Sequence, residues 1–582
     1  MKEKILLSLI ILAAIVIRFY NLGQNPPSLY WDEIALGYNA YSIAETAKDE
    51  EGAFLPVQYF RSFGDFKPPV YIYAAVPMIK LLGLNEWTTR FPSAFFGTLS
   101  IIVTYYLTRK ILIRQTKSNK ENEFLTQKRI NYIALIAALL LALSPWHTQI
   151  SRVAYEANVA HFLALVGIWF FFIGLDKHKW KLGFFLGSGI SFTLAMYTFN
   201  SSRVFIPLLV ASLLFIYIKE LVSKEQRNLK PFIIAAIISL VLTLPALQHM
   251  LSSQGQLRYK EVNIFSNQEV VKLSNQRIEQ AGHAWWANIF NNRRVLFAQD
   301  WLDGYFRHFS AKFLLISGDV NPRFSIQDIG QLYLVEIPFL LIGLYVMLSR
   351  PNKNYAFILV WLLMAPIPAA FAREVPHALR TLNILPTFQI ITALGFLYTI
   401  YALQQRAGKF NRYAAQGIIA GSTILLIGQL YYYQHNYYDH YPKYSETEWQ
   451  YGYKQMMQEL SKIDQNYDRV VITDGLGRPY INVLFYKQYS PALFQVERKA
   501  ETDQTGFGFI NVYAFNKYQF RGINWKKEIA DQKTEEKVLV VGTPQEIEEN
   551  KFTKATVKNL KGQTVFILNE IPKGQDALLE LK

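Results

Sequence analysis

MKEKILLSLIILAAIVIRFYNLGQNPPSLYWDEIALGY, residues 1–38, sets an apolar run from Ile5 to Ile17 shortly before the acidic pair Asp32-Glu33. Such a run between Lys4 and Arg18 spans a bilayer as a helix, and Lys2 and Lys4 at its start predict an inside-to-outside course. It resembles a signal sequence, yet no small-x-small pattern precedes Arg18, so it reads as a retained first span. The two carboxylates then stand outside the cytoplasm at the mouth of a membrane protein. A base placed there deprotonates an acceptor when a bound group offers a reactive centre on the same side. Asp32 is equally the residue type that caps a helix N-terminus, with Glu33 adding to a favourable dipole, and both readings stay open.

Composition widens that reading to the whole chain. Its 582 residues are 51% hydrophobic and 15% aromatic, with many long uncharged runs, as in a polytopic membrane protein. The formal charge of +16 is carried by short Lys/Arg segments between apolar runs, which points to cytoplasmic loops and away from nucleic acid. With no cysteine there is no disulfide framework, thiolate nucleophile or Cys-ligated zinc. His147, His283, His308 and His377 fall in outer loops without a His-Glu-x-x-His spacing, so no metal ligand is assigned.

About eleven spans follow, near 5–20, 88–108, 130–146, 158–175, 182–198, 204–218, 231–247, 330–348, 355–371, 381–403 and 414–433. The segment 70–82 is short and carries Lys80. Counting it as a span would put the basic segment Arg109 to Arg129 outside, so it reads as an interfacial or half-inserted helix on the outer face. The basic loops, including Lys117 and Lys120, Lys177 to Lys181, Lys219 to Lys230, Arg350 with Lys353, and Arg406 with Arg412, then all fall inside. A long outer loop, 248–328, holds Trp285-Trp286 and Asn291-Asn292-Arg293-Arg294 and is expected to fold against the membrane. From about 435 the pattern changes to a small extracytoplasmic α/β domain, with a helix at 446–463 and strands at Arg469–Thr473, Val538–Gly542 and Thr564–Leu568. The expected domains are therefore 1–434 and 435–582.

Outward loops carry Asp32 and Glu33, Lys67, Arg152 with Glu156, Arg203 and Arg380 beside apolar helix ends. Together they make an anion site next to a base, and a phosphate at membrane depth needs such cations. The plainer readings are that Lys67 and Lys80 snorkel to headgroups and that Arg152 and Glu156, four apart, form a helix ion pair. A transporter or flippase for lipid-linked saccharides is the rival class, although its ionisable residues belong near mid-membrane. A non-catalytic anchor leaves the patterned loop charges unexplained.

At Trp31-Asp32-Glu33, Lys67-Pro68-Pro69, Arg90-Phe91-Pro92-Ser93-Ala94-Phe95-Phe96-Gly97 and Ser144-Pro145-Trp146-His147 with Arg152 and Glu156, the sequence resembles the protein O-mannosyltransferase and aminoarabinose transferase superfamily of integral-membrane glycosyltransferases with the GT-C fold. The resemblance continues through Tyr197 to Arg203, Phe309 to Asp319 and His377-Ala378-Leu379-Arg380, and covers most of residues 1–434. A weaker one, at Arg478 to Tyr486, is to the outer domain of some bacterial members. It implies a mainly α polytopic protein that moves a sugar, with inversion, from a polyprenyl-phosphate donor to a protein, lipid or polysaccharide acceptor on the extracytoplasmic face of the plasma membrane. Asp32 carries over as general base with Glu33 beside it and Glu156 as second acidic position. Lys67 and Arg380 match phosphate-binding cations, and Arg90, Arg152, Arg203 and His377 complete the implied substrate set. Phe66 stands where the aminoarabinose transferases have a metal-binding acid, and Asp65 is one position off, so no cofactor is required and a divalent metal stays open. Asp32, Lys67, Glu156, Arg203 and Arg380 are expected around one cavity.

Overall fold

The computed structural model describes residues 2–118, 124–176, 179–225, 227–252, 255, 263–405, 409–502, 510–532 and 535–573. Lys120, Lys177 and Arg406 of the expected basic loops lie outside them. The chain divides into two compact units: a helical one, Met1–Tyr20 with Ser93–Tyr437, and a mixed one, Asn21–Pro92 with Tyr438–Lys582.

Among the described residues seven helices are long and apolar enough to cross a bilayer: Glu86–Arg114, Glu156–Leu175, Ser202–Val222, Leu229–Leu251, Lys353–Ala370, Leu382–Gln405 and Phe410–Tyr444. An eighth is the bent pair Gln127–Leu143 and Pro145–Ser151, which turns by 56°. The bend has a local cause. Pro145 brings no N–H to continue the ladder, and Ser144 caps a new helix by accepting from the His147 N–H at 3.3 Å. Lys2–Phe19 fills the first expected span, and the shorter apolar helices Lys181–Met196 and Leu334–Ser349 fill the fifth and eighth. Every span read from the sequence thus falls on a helix. The short segment at 70–82 forms the helix Pro69–Leu82, 14 residues long; at about 1.5 Å per residue it falls short of a bilayer core. The long loop folds into the helices Gln268–Gln280, Trp285–Phe290 and Arg293–Arg307.

In the mixed unit the strands are β1 (Phe60–Ser62), β2 (Asp65–Lys67), β3 (Arg469–Ile472), β4 (Lys499–Thr502), β5 (Ile510–Phe515), β6 (Tyr518–Phe520), β7 (Val538–Gly542), β8 (Thr553–Lys558) and β9 (Thr564–Glu570). β1 and β2 form a hairpin whose two turn residues, Phe63 and Gly64, have φ of 44° and 79°. Positive φ at both positions matches the twist of a two-residue hairpin loop. The other strands form one sheet, ordered β4-β5-β6-β3-β7-β9-β8, in which β3 runs parallel to β6 and β7. β7 is buried along its whole length, as a central strand covered on both faces requires. Val471, Val538 and Val540 pack with Ile529, Ile547 and Ile567 on one side of this sheet. The helix expected at 446–463 starts at Tyr453, because Gly452 takes a φ of 116°.

The helix Trp31–Thr46 explains why residues 21–92 join this unit. Nearly every position from Glu33 to Ile43 is buried, and it packs on Pro69–Leu82, Pro479–Tyr486 and Pro491–Glu497. Tyr38 donates to the Tyr489 carbonyl at 3.0 Å. Gly37 makes room for this packing, since a Cβ there would lie 2.5 Å from Thr89 Oγ1 and 2.8 Å from the Phe485 ring.

Candidate active site

Asp32 lies in the first turn of the Trp31–Thr46 helix, but the N-cap is Tyr30, whose side chain makes no capping hydrogen bond. The capping reading of Asp32 is therefore set aside; its carboxylate turns to Lys67 instead, with which it forms an ion pair. Lys67 ends β2, and Asp65, two residues earlier, shares its face of the strand. Asp65 Oδ2 lies 2.8 Å from Lys67 Nζ. Phe66, between them, stacks edge-on against Tyr59. Lys67 is 8% exposed while Asp32 is 31% exposed, so the ammonium is sunk and the carboxylate is open. That rules out snorkelling for Lys67, whose Nζ also sits 5.2 Å from the centre of the Phe63 ring.

Glu33, one residue on, faces the interior. Both it and Arg90 are fully buried, joined by Nε to Oε1 at 2.8 Å and NH2 to Oε2 at 3.0 Å. Arg90 further donates to the carbonyls of Leu22, Pro26 and Ser28 at 3.1, 2.9 and 2.7 Å. The pair ties the chain entering the Trp31–Thr46 helix to the start of the next long helix. Neither side chain reaches the surface, which fits bracing better than the catalytic and substrate-binding places expected for them.

In the helical unit, Arg152 is also fully buried, donating from Nε to the Tyr437 hydroxyl at 3.0 Å and from NH1 to the Ile17 carbonyl at 2.6 Å. Its guanidinium is spent inside the unit. Glu156 opens the Glu156–Leu175 helix, at the end of the dipole that favours a carboxylate. Arg203 opens the Ser202–Val222 helix and donates to the Met196 carbonyl at 3.2 Å.

His377 and Arg380 sit on a clamped segment of this unit. The His377 N–H donates to His308 Nε2 at 3.1 Å, while His308 Nδ1–H donates to the Gly304 carbonyl at 2.8 Å. That arrangement requires a neutral His308 ring, and burial holds its pKa down at about 4. The Ala378 N–H donates to Asp319 Oδ2 at 2.6 Å, and Trp146 Nε1–H donates to the Ala378 carbonyl at 2.9 Å. Burial pushes the Asp319 carboxyl up to about 6 against the pull of the Ala378 and Asn321 N–H groups. His377 stacks 4.6 Å from Phe324 and stays neutral, held well below the usual histidine range by burial and then by the Arg380 charge. Arg380 therefore carries the positive charge of this segment.

Among the described residues no group of three or more His, Asp or Glu side chains is placed to hold a metal ion. Asp32 and Asp65 do converge, but on the Lys67 ammonium, which fills the place a cation would take. This donor set does not fit a resident divalent ion.

A sequence model of the family described as dolichyl-phosphate-mannose-protein mannosyltransferase matches residues 8–118. No curated protein matches the chain. Among solved structures, the chain is similar to ArnT from Cupriavidus metallidurans in the apo state, with 12% identity, 97% of each chain covered and a TM-score of 0.52. The same protein bound to undecaprenyl phosphate gives 11% identity, 97% of each chain and a TM-score of 0.51. The fold is that of the GT-C membrane glycosyltransferases. The oligosaccharyltransferase AglB from Archaeoglobus fulgidus, in complex with an inhibitory peptide and a dolichol-phosphate, matches at 14% identity over 83% of this chain, with a TM-score of 0.48. This chain spans 63% of that protein's length.

Sequence reasoning singled out Asp32, Lys67, His377 and Arg380 but did not give what holds them. Asp319 and His308 act on the 377–380 segment from 59 and 69 residues away. The stretch Phe309 to Asp319 was already part of the resemblance and was the available sequence signal for Asp319, whose burial beside Gly318 at a φ of 70° only the structure gives. Asp65 was noted only as one position off an expected acid; its place beside Lys67 follows from the strand Asp65–Lys67, in which alternate residues share a face.

Proposed function

We propose that this protein transfers a sugar from a polyprenyl-phosphate donor to an acceptor hydroxyl or amine on the extracytoplasmic face, with inversion. The observation that carries the reading is the Asp32–Lys67–Asp65 cluster, an open carboxylate held against a sunken ammonium. The acceptor attacks the anomeric carbon, its proton passes to Asp32, and the electron pair of the breaking C–O bond leaves with the phosphate oxygen. Asp32 forms an ion pair with Lys67. A donor phosphate takes Lys67 for itself and frees the carboxylate, so the base becomes available when the leaving group is bound. ArnT, whose fold the chain shares, has been captured with undecaprenyl phosphate, which supports a lipid phosphate as the donor's carrier.

Glu33 and Arg90 are assigned a positioning role behind Asp32, and Arg152 a positioning role in the helical unit. Arg380 and Arg203 are assigned anion binding, His377 a contact with the donor, and Glu156 the second acidic role. The pattern of basic short loops supports the orientation. The test is transfer from radiolabelled polyprenyl-phosphate sugars by purified protein. Asp32→Asn should abolish transfer in a protein that melts like wild type; equal activity in that variant removes Asp32 from this role.

A further inference from the structure

Asp32 and Asn39 are two helical turns apart, so they leave the Trp31–Thr46 helix on one face, about 10 Å from each other. Both address the β1–β2 hairpin. Asp32 meets Lys67 directly, whereas Asn39 reaches Ser62 through the carboxyl of Glu50. In the hairpin Phe60 stands opposite Lys67 and Ser62 opposite Asp65. Opposed and alternate residues of a ladder share a face, so the face that carries Lys67 and Asp65 also carries Ser62.

Glu50 is buried and joins three elements. Asn39 Nδ2 donates to its Oε2 at 2.8 Å and to the Ala35 carbonyl at 3.0 Å, while the Glu50 N–H donates back to Asn39 Oδ1 at 3.0 Å. The Ser62 hydroxyl donates to the carboxyl with 3.0 and 3.1 Å to its two oxygens, and the Tyr480 hydroxyl donates to Oε1 at 3.0 Å. The backbone beside Glu50 is fixed as well. Asp49 Oδ1 accepts from the Glu51 and Ala53 N–H groups at 3.0 and 2.8 Å, and Gln495 Nε2 donates to the Asp49 carbonyl at 2.9 Å. A buried carboxyl is costlier here than an apolar side chain of its size, and its hydrogen bonds impose one geometry that apolar packing would leave loose.

We propose that Glu50 is a positioning residue for the transfer: it fixes the β1–β2 hairpin to the Asp32 helix and so sets Lys67 in its place beside Asp32. Its effect on donor binding rests on the donor reading given above. The test has two arms, both on full-length protein. Acylation of Lys67 by a water-soluble succinimidyl ester, read by peptide mass spectrometry, follows the hairpin without any ligand; Lys487, paired with Asp464 in the same unit, is the control. In Glu50→Ala, Lys67 should label about ten-fold faster than in wild type, the size of one lost hydrogen bond to a charged group, while Lys487 keeps its rate. Glu50→Gln keeps an acceptor for Asn39 and offers an N–H to hydroxyls that can turn to accept it, so it should restore most of the protection. In the second arm undecaprenyl phosphate is titrated calorimetrically. Binding should be about ten-fold weaker in Glu50→Ala than in wild type, yet no weaker in Glu50→Ala/Lys67→Ala than in Lys67→Ala, because Glu50 acts through Lys67. Where Glu50→Ala does not fold, Ser62→Ala cuts the same link at the hairpin and takes its place. Unchanged Lys67 labelling, or an acceleration shared equally by Lys487, overturns the role of Glu50; so does wild-type affinity in Glu50→Ala when Lys67→Ala has lost it. Equal affinity in wild type and Lys67→Ala overturns the donor reading instead, and the labelling arm still decides the place of Glu50.

Discussion

Glu33 and Asp32 are neighbours in sequence and opposites in environment. Removing one partner of a fully buried, bidentate ion pair leaves an uncompensated charge, so Glu33→Gln should cost about 3–5 kcal/mol and lower Tm markedly. Asp32→Asn, at an open site, should leave Tm nearly unchanged. Glu50 offers a pH-dependent test. It is buried, accepts from Asn39 Nδ2 at 2.8 Å and from the Ser62 and Tyr480 hydroxyls at 3.0 Å, and its pKa is pushed up to about 8 by burial and by the nearby Glu51 charge. A carboxyl whose folded pKa is raised favours the folded state most at low pH. That contribution is lost as pH climbs from about 4.5 to about 8. Wild-type Tm should therefore fall relative to Glu50→Gln across that window, and parallel melting curves for the two proteins would contradict the assignment. Asp32 and Lys67 were legible because charges next to apolar helix ends stand out in a sequence. The Glu33–Arg90 pair was not, since 57 residues separate its members and nothing local marks either as buried.

At the scale of elements, the spans were readable because each is an apolar run, but the third was read as continuous over 130–146 and its break at Ser144-Pro145 was missed, although the proline was there to mark it. The sheet was half readable. β3, β7 and β9 are apolar enough to show, whereas β4, β5, β6 and β8 are partly exposed, and their pairings, β4 with β5, β5 with β6 and β8 with β9, follow registers no periodicity encodes. The Trp31–Thr46 helix was visible as a helix but not as the centre of the mixed unit, since only part of its burial comes from the nearby Pro69–Leu82 helix and the rest from helices more than 400 residues later. Gly37 is the sharpest point of that packing. Gly37→Ala forces its methyl into Thr89 and Phe485, an overpacking cost of about 1–3 kcal/mol. A urea denaturation midpoint equal to that of wild type would show that the helix has slack the structure does not contain.

For the whole molecule, the change of composition near 435 does not show which residues the last part of the chain packs with. Residues 21–92 and 438–582 form one compact unit. Truncation after Tyr437 should consequently do more than delete a module: it strips Tyr480, Phe485 and Phe494 from the Trp31–Thr46 helix and Tyr480 from Glu50. Limited proteolysis should then cut the 21–92 segment in the truncated protein at sites protected in the full chain, and protection there would separate the two stretches.

That composite unit also sets an order of events during synthesis. Roughly 350 residues lie between its two stretches, so at about 5–20 residues per second the ribosome needs on the order of 20–70 s to deliver the second after the first. Through that interval Asp32 and Lys67 wait without the strands and helices that later enclose them. On the role proposed for Asp32, a chain stalled before β9 lacks part of the sheet that completes this unit, and transfer is expected only once that strand has been made.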